Sequence, residues 1–143
     1  SPAALQGREH MTTIPSTKIA AKAAYDMAGI TAKDVDFAEV HDCFTIAEVV
    51  DTEDLGFFGK GQGIQAIRED RTKLNSDISI NPSGGLKSKG HPIGATGVGQ
   101  VVEVYDQLTG NAGARTVKDA KIGLTHNFGA TGASCAVHVF QSV

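Results

Sequence analysis

Apolar residues along this chain switch their spacing repeatedly between helical and extended periods, and that alternation confines the fold to an α/β architecture before any motif is read. Ser16 is a candidate N-cap, and Ile19, Ala20, Ala23, Ala24, Met27 and Ala28 share one helical face that ends at Gly29 as the C′ residue. Residues 35–40 read as a strand. Thr45, with Glu48 three positions on, predicts a capping box for a helix carrying Ile46, Val49, Val50 and Leu55. Residues 64–69 suggest a short helix and 78–80 a strand, which runs into a polar loop over 81–90. Pro92 suits the first turn of the next helix, whose Val98, Val101, Val102, Tyr105 and Leu108 share a face before Gly110. Residues 121–126 and 134–140 then read as two strands joined by a glycine-rich turn over 127–132. The order β-α-β-α-β-β predicts a mixed sheet with helices packed on it, in one domain over 1–143 with an irregular lead-in at 1–15.

Composition narrows the function classes. With 41% hydrophobic and 20% charged residues among 143, the chain has the content of a folded protein, and no apolar run is long enough to cross a bilayer. A net charge of −3 argues against nucleic acid or an anionic membrane as the main partner. Two cysteines and no N-terminal signal pattern point to a cytoplasmic protein without a disulfide framework. Glycine is the outlier: 17 in all, eleven of them between Gly84 and Gly132, which implies turns that approach something closely.

Three of those turns hold groups with chemistry. His41 and Cys43 lie between a strand and a helix, the position at which open α/β sheets bind ligands. His91 stands before a helix, and His126 with Asn127 ends a strand. Brought together, a thiol and neutral imidazoles supply acid, base and oxyanion donors, and the helix start after Cys43 predicts a stabilised thiolate. Other readings of the same residues stay open. His41, Cys43 and His91 are a conceivable metal set, but their spacing matches no zinc framework and no metal is expected. Gly94, Gly97 and Gly99 open a helix without a nucleotide fingerprint. Lys87 and Lys89 are either a local patch for an anion or solvated surface. Cys135, on an alternating strand, reads as a small core residue, and His10 and His138 read as structural.

Four ordered motifs carry a family resemblance: His41-Asp42-Cys43-Phe44, Asn81-Pro82-Ser83-Gly84-Gly85, Gly90-His91-Pro92-Ile93-Gly94-Ala95-Thr96-Gly97 and His126-Asn127-Phe128-Gly129. With them the chain resembles the C-terminal half of a thiolase from about Ala4 to Phe140. His-Asp-Cys-Phe, with Lys87-Ser88-Lys89 ahead of Gly-His-Pro, is similar to the sterol-carrier-protein-type and archaeal acetyl-CoA acetyltransferases. Other thiolases carry Asn-Glu-Ala-Phe at the first motif.

The resemblance implies an acyltransferase that handles coenzyme A thioesters as substrates and needs no cofactor. It implies that His91 activates a nucleophilic cysteine and shares an oxyanion hole with His41, that Cys43 is the acid/base at the α-carbon, and that Gly129 gives a backbone N–H to a second oxyanion hole. Asn81, Ser83, Gly84, Lys87 and Asn127 are the implied substrate contacts. Asn127-Phe128-Gly129 stands where other thiolases have Cys-x-Gly, so Cys43 must supply that thiol. The acylated cysteine of the family belongs to the N-terminal half, for which this sequence holds no candidate. The expectation is therefore a domain lacking its first strand and inactive alone. Expected partners are an acyl-CoA, an N-terminal thiolase half and a second copy, with a hydroxymethylglutaryl-CoA synthase and a small bridging protein as further ones. The alternative is a non-catalytic acyl-CoA-binding or scaffold module of such a complex. A third reading, similarity to ketoacyl synthase III, rests on His126-Asn127 as a catalytic pair.

Overall fold

The computed structural model describes residues 7–129 and 131–142. Helices α1 (Pro15–Ala28), α2 (Thr45–Asp54), α3 (Gly63–Arg68), α4 (Gly85–Lys89) and α5 (Thr96–Leu108) surround strands β1 (Phe37–Glu39), β2 (Ser79–Ile80), β3 (Ile122–Gly129) and β4 (Ser134–Gln141). The sheet runs in the order β2-β1-β3-β4; β1 is parallel to both its neighbours and β3 is antiparallel to β4. This is the mixed sheet that the alternating periods predict. Among the described residues the outer edge of β4 pairs with nothing. The irregular lead-in expected at 1–15 falls partly outside them, since 1–6 are not described.

Alternation along β1 divides the core between two sides of the sheet. Ala38 and Val40 pack with Ala21 of α1 and with Leu55, Phe58 and Leu124, whereas Phe37 meets Val104 of α5 and Val117. Phe37 lies over Gly123 on β3 so closely that any Cβ there would overlap its ring.

The helix starts differ from the expected ones. The N-cap position of α1 is Ile14, whose N–H is taken by Asp54 Oδ2 at 2.6 Å, and Pro15 sits at the first helical position, where its missing N–H costs nothing. Ser16 lies inside the helix and donates to the carbonyl of Gly132 at 2.6 Å. Gly29 does terminate α1 in the left-handed region, with φ of 69°. Thr45 begins α2 without capping it, and Glu48 receives a bond from Asn81 Nδ2 at 3.3 Å instead. Thr31 and Asp34 form the capping box, on a short 3-10 turn. Within the expected loop at 81–90, residues 85–89 are helical. Pro92 precedes α5, its carbonyl receiving the N–H groups of Ala95 and Thr96. Asn127, Phe128 and Gly129 extend β3, opposite Ala136, Cys135 and Ser134.

Two helices are turned inside out relative to their apolar stripes. On α5, Gln100, Glu103 and Gln107 are buried while Val98, Val102 and Tyr105 are more than half exposed. Gln100 Nε2 donates to the carbonyls of Glu39 and His126, leaving Gln100 Oε1 without a partner among the described residues, and Glu103 pairs with Arg115 and Gln107. On α1, Ser16, Thr17 and Ala21 face inward, and Ile19 and Met27 face out.

Candidate active site

The site is assembled where β1 ends. Glu39, at 0% exposure, accepts from Ser83 N at 3.0 Å, Ser83 Oγ at 2.6 Å and Lys89 Nζ at 3.3 Å. Three residues on, the buried Asp42 accepts from Leu86 N at 2.7 Å and Lys87 N at 3.4 Å, caring for N–H groups that the start of α4 leaves unpaired. Gly85, at φ of 65°, makes room for that carboxylate, since a Cβ there would overlap it. The two acids hold the 83–89 segment against β1 and so set where the chain enters His91.

His91 Nδ1 lies 2.7 Å from Thr96 Oγ1, and that hydroxyl donates to the carbonyl of Pro92 at 3.2 Å. The network therefore assigns the proton of neutral His91 to Nδ1, leaving Nε2 as a free acceptor. The ring meets His41 edge to face at 4.8 Å, and His41 packs on Phe128 at 4.7 Å. A cleft of about 770 Å³ opens over these groups, lined by His41, Cys43, His91, Asn127 and Gly129 together with Phe44, Ile93, Phe128, Ser134, Cys135 and Ala136.

Burial, and then the neighbouring His91, lower the pKa of His41, with Asn127 and Asp42 pulling the other way. Burial also raises the thiol pKa of Cys43; the charges of Asp51 and Asp42 add to it, and backbone N–H groups oppose it only in part. The stabilised thiolate expected from the following helix start is thus absent, because desolvation outweighs the helix end. Cys135 is pushed up to about 11 by burial.

Not every expected contact reaches the cleft. Asn81 is buried behind it, accepting from Val40 N at 2.8 Å. Ser83 is tied to Glu39, and Gly84 adjoins Ser88. Lys87 stands on the rim with its ammonium 5.8 Å from the centre of the Phe44 ring, while Lys89 is half of an ion pair rather than a solvated charge. Gly97 is approached by the Asn127 amide, whereas Gly94 and Gly99 face open space. His126 is fully buried and does not line the cleft, which removes the catalytic pair of the third reading. Among the described residues no cluster of three or more His, Cys, Asp or Glu is placed to hold a metal. Cys135 packs against the core cluster of Ile14, Ala47 and Phe128 as a small core residue should, but its position facing Phe128 across the hairpin also brings it to the cleft wall, which sequence reasoning missed. Correct placement of the turn beyond Gly129 would have found it.

The sequence matches the family described as "Thiolase C-terminal domain-like" over residues 2–142. It is 51% identical over 138 residues to an acetyl-CoA acetyltransferase of Methanothermobacter thermautotrophicus, covering 96% of this chain and 36% of that protein. Human sterol carrier protein 2 is 44% identical over 123 residues, covering 86% of this chain and 22% of that protein. The fold superposes on a solved Ltp2-ChsH2(DUF35) aldolase with a TM-score of 0.84 at 19% identity, over 95% of this chain and 34% of that one. It superposes on the peroxisomal 3-ketoacyl-CoA thiolase of Saccharomyces cerevisiae with a TM-score of 0.60 at 20% identity, over 93% of this chain and 30% of that one. This chain belongs to the thiolase C-terminal domain family. It spans about a third or less of the length of these relatives. No described helix is long and apolar enough to cross a membrane.

Proposed function

We propose that this chain is the C-terminal catalytic domain of an acetyl-CoA acetyltransferase, joining two acetyl-CoA into acetoacetyl-CoA and coenzyme A or running the reverse thiolysis. What carries the reading is the convergence of His41, Cys43 and His91 on one cleft, with Thr96 leaving His91 Nε2 free to accept a proton. The nucleophilic thiol comes from an N-terminal half. His91 Nε2 takes its proton, the thiolate attacks the first acetyl-CoA, and the Cys43 thiol gives its proton to the departing coenzyme A. The Cys43 thiolate so formed removes the α-proton of the second acetyl-CoA. The resulting enolate attacks the acyl group, the C–C bond forms, and the nucleophile leaves and regains its proton from His91. A thiol that rests protonated suits a role that begins with donation. His41 and protonated His91 face the thioester oxygen, and Gly129 the acyl-enzyme oxygen; each such donor is worth about 3 kcal/mol.

Asn127 and Lys87 are the substrate-facing members of the binding set, with Lys87 at the rim suited to a coenzyme phosphate; Asn81, Ser83 and Gly84 shape the site from behind. The exposed stripe of α5, continuous with Ile93 on the cleft wall, is where an N-terminal half would pack. The yeast thiolase is described as five layers built from two core domains of identical topology, which supports a second domain against such a face. Two unpaired cysteines accord with a cytosolic setting.

The test is complementation. This chain mixed with a cognate N-terminal half should gain acetoacetyl-CoA thiolysis that neither half has, and Cys43→Ala and His91→Ala should abolish it. No gain with both halves folded would overturn the proposal. Coenzyme A binding by the unaltered chain that brings no activity on mixing, and that both substitutions leave undiminished, would favour the scaffold reading.

A further inference from the structure

Beneath His41 and Phe128 lies a fully buried polar group that the chemistry above leaves unused. His126, on β3, has 0% exposure, and its ring is 5.8 Å from that of Phe128. Its Nε2 lies 2.9 Å from Thr17 Oγ1 on α1, and its Nδ1 receives the backbone N–H of His41 at 3.5 Å, the outer limit of such a bond. Asp51 Oδ2 of α2 is 3.6 Å from Nδ1, too far to bond, and neither oxygen of that carboxyl has a hydrogen-bond partner.

These contacts fix a direction. An N–H aimed at Nδ1 requires that nitrogen to be unprotonated, so the neutral ring carries its proton on Nε2 and donates to Thr17. The Thr17 hydroxyl is then free to donate to Cys135 Sγ, 3.8 Å away. One chain of donors runs from the His41 backbone through His126 and Thr17 to Cys135, from one wall of the cleft to the other. Burial and the proximity of His41 push the His126 pKa down to about 3, so the ring rests neutral, and burial, ahead of the neighbouring carboxylates Asp54, Glu48 and Asp42, raises that of Asp51.

We infer that His126 is a positioning residue: held as the Nε2–H tautomer by Thr17, it fixes the backbone at His41 and ties that turn to Cys135 on the opposite wall. The inference deepens the thiolase reading and rests on it for the role of the cleft. The geometry it invokes can be tested without activity.

Nitrogen-15 spectra of the histidine-labelled chain should show His126 as the neutral Nε2–H tautomer throughout pH 5 to 8. An Nδ1–H tautomer, or a titration near 6.5, overturns the inference without any variant. Thr17→Val removes the acceptor, so the ring should shift toward Nδ1–H and exchange of the His41 amide should accelerate about tenfold, while Thr17→Ser should keep the wild-type spectrum. A folded Thr17→Val chain with unchanged tautomer and exchange overturns it too. In the complemented enzyme Thr17→Val should lower kcat about tenfold with KM within about twofold, and Thr17→Ser should restore it. An unchanged kcat counts against the inference. Failure of every complementation counts against the thiolase reading alone, and the tautomer then decides this one.

Discussion

His41 and His91 meet edge to face, their ring centroids 4.8 Å apart and their planes 85° from parallel. Two imidazolium charges at that separation repel, and His41 is the buried partner of the pair. His91 is the ring that Thr96 orients and the solvent reaches.

The His41 imidazole should titrate below the ordinary 6.5 of a free histidine. Since burial is the larger cause and His91 the second, His91→Asn should move the His41 midpoint upward without bringing it to the ordinary value. Proton NMR titration of the two imidazoles checks this. A His41 midpoint unmoved by His91→Asn would show that the rings do not share charge.

Thiol reactivity gives a second check. With its pKa raised, Cys43 should be alkylated slowly by iodoacetamide at pH 7 and progressively faster as pH rises through 9 and beyond. Cys135, held higher at about 11, should lag behind it throughout. Mass spectrometry of timed samples separates the two sites. Rapid alkylation of Cys43 at pH 6 would mean that the helix start wins over desolvation after all.

How much of this was legible in the sequence follows from range. The turn carrying His41, Asp42 and Cys43 was legible because a short apolar run breaks into polar residues just where β1 ends, which is a local signal. The inward faces of α1 and α5 were not. Periodicity says which residues share a helix face, but Thr17 and Gln100 are buried because His126 and two strand carbonyls await them, at sequence separations of 109, 61 and 26 residues. The same limit applies to Lys89, read as either part of an anion patch or solvated surface, whose buried partner Glu39 lies 50 residues away. The site residues Cys43, His91 and Gly129 could be picked out by type and motif, whereas Cys135 required the hairpin register.

The Lys89–Glu39 pair makes a third prediction. Lys89→Met leaves Glu39 buried with only Ser83 to satisfy it, which should cost about 1–3 kcal/mol in urea unfolding at pH 7. Glu39 already has a raised pKa from burial, and Lys89 is one of the groups that oppose the rise. Its loss therefore pushes the folded-state pKa higher still. The cost belongs to the ionised form, so the deficit should be greatest above that pKa and shrink as pH falls through it. Glu39→Gln in the Lys89→Met background should recover most of the loss at pH 7. A deficit that grows on acidification would contradict the assignment.

The outward stripe of α5 supports the last prediction. Val98 at 65%, Val102 at 53% and Tyr105 at 62% exposure contribute little to this chain's own core, which α5 reaches through Val104. Replacing Val98 and Val102 by Ser should therefore shift the unfolding free energy by less than about 1 kcal/mol, much of that from helix propensity. If an N-terminal half seats on this face, the same pair of changes removes apolar area that association would bury, and complementation should weaken by tenfold or more in the concentration of partner needed, at about 1.4 kcal/mol per decade. Ile19→Ser on the outward face of α1 serves as the comparison, being equally exposed at 66% but on another helix. Titrating the N-terminal half against each variant by calorimetry reads the difference. Equal binding by the α5 variant and the unaltered chain would place the second domain somewhere other than α5.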